Sequence, residues 1–194
     1  QIQVLAEKES YYCGDVIAMV AAETEKKAIK AVEKIEVDYE KLEGVYDRLK
    51  AKEKNSPLVY EDLDNNEMSH HTLSKGNIEE GFENSDVILE REYETSFIEQ
   101  AYLEPEAVIA VPYYENTTVT LFGSFQNPFS AHHAVAEVLK EDFNKIRIVQ
   151  NHIGGSFGGK EQIMDTLAAR VAVLSLNAEK PVKLVNNRED SIIE

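Results

Sequence analysis

Residues Asn151 to Glu161 read NHIGGSFGGKE and place Gly154, Gly155, Gly158 and Gly159 within six positions, four of the nine glycines in the chain. An alternating stretch, Lys145–Gln150, precedes this tract. The helical pattern that follows, from about Glu161 to Leu176, carries Met164, Leu167, Val171 and Leu174 on one stripe. A glycine tract between a strand and a helix lets a ligand touch bare main chain, and the helix N-terminus adds partial positive charge there. Three or four amides are expected to converge on one spot, so the tract reads as a binding loop.

The kind of ligand is narrowed by what surrounds the glycines. Gly154, four residues, Gly159 and Lys160 reproduce most of a phosphate-binding loop, but Glu161 stands where Ser or Thr would hold Mg²⁺. A carboxylate there repels a triphosphate, and no apolar strand ending in Asp follows. The dinucleotide pattern G-x-G-x-x-G is only partly met. A nucleotide enzyme is therefore the weaker reading, with a non-catalytic assembly module as the other rival.

Upstream, the sequence predicts a strand over Asp15–Ala22, a helix over Thr24–Lys34 and a strand over Ile35–Tyr39. A charged, polar connector spans 47–74. A helix over Ile78–Asn84 and a long strand over Val87–Phe97 follow, the latter with alternating Ile88, Glu90, Glu92 and Glu94. Strands over Ala107–Val111 and Thr117–Phe122 flank a turn at Pro112 and Glu115-Asn116. Asn127-Pro128 starts a helix running to about Lys140, with Asn as cap and Pro at its first position. Pro181–Val185 is the last strand. The fold class is α+β (mixed α/β), with a small first domain over 1–46 and a second over 75–194.

The 194 residues, 43% of them apolar, suffice for a real core. A net charge of −16 argues against nucleic acid and anionic membranes as partners. A single cysteine, Cys13, excludes an internal disulfide, suggests the cytoplasm, and reads as structural. The longest apolar runs fall well short of the ~20 residues a membrane helix needs. His70, His71, His132, His133 and His152 lack metal-ligand spacing, and Asp62–Asn66 departs from a calcium loop at Glu67 and Leu73. Glu104 in AYLEPEA reads as a partly buried structural carboxylate, whereas Glu161 leans towards function. There is no initiating Met and the sequence stops at SIIE, so the chain is expected to be a piece of something larger.

SFQNPFSAHHAVAEVL, KIRIVQNHIGGSFGGKE and KPVKLVNNRED together resemble the molybdopterin-binding large subunit of the xanthine dehydrogenase / aldehyde oxidase family. YYCGDVIAMVAAETEKKAIKAVEKIEVDYEKLEGVYD is similar to the end of that family's α/β hammerhead domain. KGNIEEGFENSDVILEREYETSFIEQAYLEPEAVIAVP is similar to the opening of its molybdenum-cofactor domain. The resemblance implies that Gly155, Ser156, Phe157 and Gly158 contact molybdenum-molybdopterin, with or without a nucleotide extension. It further implies that Gln100 lies near the metal and that Glu161 orients substrate. Ser156 stands where the family motif often has a third glycine, and the family's general base belongs downstream of Glu194. The implied chemistry is hydroxylation of an N-heterocycle or aldehyde with oxygen from water. The implied partners are the rest of the large chain and further domains or chains carrying 2Fe-2S clusters and FAD. This piece is expected to be inactive alone.

Overall fold

A computed structural model describes residues 3–193, divided into two compact units, 3–36 with 98–193, and Val37–Phe97. The first unit is built on a four-stranded sheet formed by β1 (Ala107–Pro112), β2 (Val119–Gly123), β3 (Ile146–Gln150) and β4 (Val182–Val185), in the order β3-β2-β1-β4. β1 runs antiparallel to both its neighbours, and β2 pairs parallel with β3. Alternation along the strands turns Val108, Ala110, Val119, Leu121 and Ile146 to one face, where they are buried. Ile148, Val182 and Leu184 pack against the same core.

Two helices supply the rest of that core. α3 (Pro128–Leu139) starts where Asn127 accepts a hydrogen bond from the Ser130 amide and Pro128 needs no partner for a missing N–H. It contributes Ala131, Val135 and Ala136. α4 (Gln162–Ala178) contributes Met164, Leu167, Ala168, Ala169, Val171 and Ala172, the small residues letting it lie close to the sheet and to α3. The predicted α4 stripe is buried at Met164, Leu167 and Val171 and half-buried at Leu174. A short helix, α5 (Arg188–Ile193), follows β4 and has no counterpart in the sequence reading.

The same unit holds α1 (Glu25–Val32), within the helix predicted over Thr24–Lys34 and capped by Thr24. The flanking Asp15–Ala22 is not a buried strand: among the described residues one ladder-like bond, from the Ala6 amide to the Val16 carbonyl, reaches it, and its side chains are half-buried or exposed. Ile35–Tyr39 likewise forms no strand. Cys13 is exposed rather than packed.

In the second unit Asn77 caps α2 (Ile78–Glu83) through the amides of Glu79 and Glu80. The polar stretch after Asp47 is pinned by one side chain. Asn66 accepts from the Val59 amide at 2.8 Å and donates to the carbonyls of Pro57 at 2.8 Å and Ala51 at 3.1 Å. Asp47 accepts from the Leu49 and Lys50 amides, and these bonds hold its carboxyl below the usual range. The predicted strand Val87–Phe97 is absent. Alternation specifies a half-buried face, but strand hydrogen bonds come from a neighbouring strand, and none among the described residues pairs with it.

Candidate functional site: a braced glycine loop

The strand directions decide where the chemistry collects. Val108 pairs with Gly123, and Ala107 with Val185, so the start of β1 lies beside the ends of β2 and β4. Gly123 pairs with Gln150, which adds the end of β3. One edge of the sheet therefore gathers four segments: 100–106 before β1, 124–126 after β2, 151–161 after β3 and 186–191 after β4. The carboxyl ends of parallel strands are where open α/β sheets bind ligands. A surface hollow of about 410 Å³, beside Tyr113, Thr117 and Lys145, lies at the β1–β2 turn, the far end of the sheet from this edge.

The glycine tract sits at that edge as a loop tied down from three sides. The Gly154 amide donates to Glu104 Oε2 at 2.8 Å, and the Gly158 amide donates to Gln126 Oε1 at 3.2 Å. The Gly159 amide closes a turn onto the Ser156 carbonyl at 2.7 Å, and the Gln126 amide donates to the Lys160 carbonyl at 3.2 Å. Ser124 Oγ donates to the His152 carbonyl at 3.1 Å. Of the three or four free amides the sequence suggests, those of Gly154, Gly158 and Gly159 are engaged by protein acceptors. Within 154–159, the amides left without a protein acceptor among the described residues are those of Gly155, Ser156 and Phe157.

The glycines at two positions are required by close approach. A Cβ at Gly154 would lie 2.5 Å from Glu104 Oε2, and one at Gly159 would lie 2.6 Å from Tyr102 Cε1 and 3.2 Å from Gln100 Oε1. The structure thus sets Gln100 beside the loop. Phe157 is 78% exposed and holds φ +49, a left-handed conformation that costs a residue with a Cβ.

Lys160 points the other way and is fully buried. Its Nζ donates to Glu104 Oε1 at 2.9 Å and sits 4.7 Å from the centroid of the Tyr102 ring. Burial alone would raise the Glu104 carboxyl. The Ser124 hydroxyl, the Lys160 ammonium and the Gly154 amide outweigh it and hold the group below the usual carboxylate range. A cation so engaged is not free for a phosphate. Tyr102 is anchored in turn, since Arg188 Nη2 donates to the carbonyls of Tyr102 at 2.7 Å and Leu103 at 3.1 Å. The sequence marks Lys160 as a possible phosphate ligand, but its burial and its partners Tyr102 and Arg188 escape it, because nothing in their spacing marks a buried cation.

Glu161 is exposed, and although it stands at the N-cap of α4 its side chain makes no capping bond. Its carboxylate is left to the solvent side of the loop. One helical turn further on, Asp165 is buried and accepts from Ser130 Oγ, while its Oδ1 has no partner among the described residues. Burial raises its pKa, the Ser130 hydrogen bond opposes the rise, and the negative charge of Glu161 adds to it. Among the described residues, no three His, Cys, Asp or Glu side chains group to hold a metal ion. The residues at this edge fit a prosthetic group that offers hydrogen-bond acceptors: three unpaired amides in succession, an exposed aromatic ring beside them, and open space above Gly158, where an added Cβ would meet nothing within 4 Å.

The fold of this chain, a sheet and helices with a glycine loop at one sheet edge, is shared in outline with several solved structures. Quinoline 2-oxidoreductase from Pseudomonas putida 86 superposes with a TM-score of 0.87 over 98% of this chain and 24% of its own, at 22% identity, which is a likeness of fold. The Cu,Mo-CO dehydrogenase superposes with a TM-score of 0.81 at 27% identity, covering 97% of this chain and 25% of its own. Residues 59–194 match the molybdopterin cofactor-binding domain, and residues 1–43 match the a/b hammerhead domain of aldehyde oxidase and xanthine dehydrogenase. The chain belongs to the xanthine dehydrogenase / aldehyde oxidase family of molybdopterin-binding subunits.

Among curated relatives, the nicotinate dehydrogenase large molybdopterin subunit of Eubacterium barkeri is 35% identical over 179 residues, 92% of this chain and 41% of the relative. A probable xanthine dehydrogenase chain from Bacillus subtilis (strain 168) is 36% identical over 189 residues, 97% of this chain and 25% of the relative. The chain thus spans less than half the length of these relatives.

Proposed function

We propose that this chain supplies the glycine-loop wall of a molybdopterin site in a molybdenum hydroxylase, acting on an N-heterocycle or aldehyde with oxygen drawn from water. The observation that carries the reading is the pairing of three unpaired amides, at Gly155, Ser156 and Phe157, with a carboxylate at Glu161 that neither caps its helix nor is buried. In this reading Gly155, Ser156, Phe157 and Gly158 line the cofactor and Gln100 approaches it from the segment before β1. Glu161 accepts a hydrogen bond from substrate and fixes its orientation, leaving proton abstraction to a base outside these residues. When bound, the cofactor supplies the two-electron redox chemistry, and the chain supplies position and charge.

The substrate class follows from the relatives' names, which include nicotinate and xanthine dehydrogenases and an aldehyde oxidase from Macaca fascicularis at 31% identity. We assign 1–46 to the end of the hammerhead domain, 47–74 to a connector and 75–194 to the start of the cofactor domain. The electrons leave through 2Fe-2S and FAD domains or subunits, and the assembly is cytoplasmic. No described helix is long and apolar enough to cross a membrane. A nucleotide-binding reading is disfavoured because the lysine that would meet the phosphates is committed to Glu104 and Tyr102.

The test is Glu161→Gln in the full-length protein, assayed with a heterocyclic and an aldehyde substrate. Loss of a charged substrate contact should lower kcat/KM by roughly 100-fold with molybdenum content unchanged. Wild-type turnover by the variant would instead favour a non-catalytic assembly module.

A further inference from the structure

We propose that Glu104 and Lys160 are positioning residues, an ionic clip that closes the glycine loop at both ends and so holds the unpaired amides and Glu161 in place. Glu104 uses one carboxylate oxygen for each end of the tract, Oε2 for the Gly154 amide and Oε1 for Lys160 Nζ. The two loop positions are thereby bound to a single group some fifty residues upstream, itself fixed through the Arg188 bonds to the neighbouring carbonyls. A seven-residue span, Gly154 to Lys160, closed at one carboxylate has far fewer conformations than a free glycine tract, which would otherwise be the most mobile part of this edge.

The clip also sets the direction of the following residue. Lys160 is fully buried, with its stem drawn inward to Glu104 and Tyr102, while the adjacent Glu161 is exposed. With Lys160 anchored on the inner side, the backbone at 160–161 cannot rotate Glu161 inward without pulling a charged group out of its pair. The buried lysine aims the exposed glutamate. This matters for catalysis only if the loop lines the cofactor as proposed above.

The experiment is amide hydrogen exchange on the full-length holoprotein, comparing wild type with Glu104→Gln, Lys160→Met and the double variant. Glu104→Gln keeps an acceptor for the Gly154 amide but removes the charge that Lys160 needs. The double variant removes both charges and so avoids a lone buried ion should a single variant fold poorly. Peptides covering 151–161 should exchange at least about tenfold faster in each variant that folds, with peptides from β2 and α3 unchanged, molybdenum retained and kcat/KM reduced at least about tenfold. Wild-type exchange of the loop in the double variant overturns the proposal whatever turnover does. A uniform acceleration across sheet and helices overturns it too, because that is global destabilisation. Faster loop exchange with wild-type turnover upholds the clip and overturns the functional reading of the loop instead.

Discussion

Two neighbouring glycines in the loop are held for different physical reasons, and the difference is measurable. At Gly159 a methyl group would strike Tyr102, a buried ring that cannot move without disturbing Lys160. At Gly158 a methyl group meets open space, but φ +97 strains any residue with a Cβ. Gly159→Ala should cost about 1–3 kcal/mol through overpacking, and Gly158→Ala about 1–2 kcal/mol through backbone strain. In a Tyr102→Leu background the first cost should shrink and the second persist, a coupling that a double-mutant cycle in denaturant reads directly. Equal costs in both backgrounds would mean that Tyr102 is not what excludes a side chain at Gly159. The glycine tract was legible in the sequence as a loop between a strand and a helix because that pattern is local. The reason for the glycines was not, since Gln100, Tyr102 and Glu104 lie some fifty or more positions away.

At the scale of elements, α3 and α4 meet through a hydrogen bond from Ser130 to Asp165, a buried carboxylate with one oxygen unpartnered among the described residues. Burial pushes the Asp165 pKa above the ordinary Asp value. A folded-state pKa above the unfolded one means that the group favours the fold at low pH, and that this contribution is lost as pH rises through the raised value. Asp165→Asn should therefore raise the melting temperature at pH 7–8, with the gain vanishing below about pH 4, near the ordinary Asp pKa. A gain of the same size at both pH values would point to packing rather than charge. α3, α4, β1 and β2 could be placed from sequence within a residue or two, because caps, periodicity and turns are local signals: Asn127-Pro128 opens α3, and the turn at Pro112 and Glu115-Asn116 separates β1 from β2. Asp15–Ala22 and Val87–Phe97 carry the same kind of signal but form no strand. Strand formation depends on a neighbour that no local pattern specifies.

For the whole molecule, the sheet order matters more than any single element. Because β1 runs against the other three strands, four segments far apart in sequence arrive at one edge, and the loop, Gln100, Glu104 and Arg188 become neighbours. That order, β3-β2-β1-β4, is not the order of the chain, so a site visible in sequence as one glycine tract is in space a braced edge. The net charge of −16 leaves the edge to work through local amides and one paired lysine rather than a broad positive field. The most direct measurement is a crystal structure of the intact protein carrying its prosthetic group. The account predicts at least one amide of Gly155–Gly158 within about 3.2 Å of a cofactor acceptor, with the Glu161 carboxylate facing the substrate position beside the metal. A cofactor bound elsewhere, with residues 154–159 turned to solvent, would contradict it.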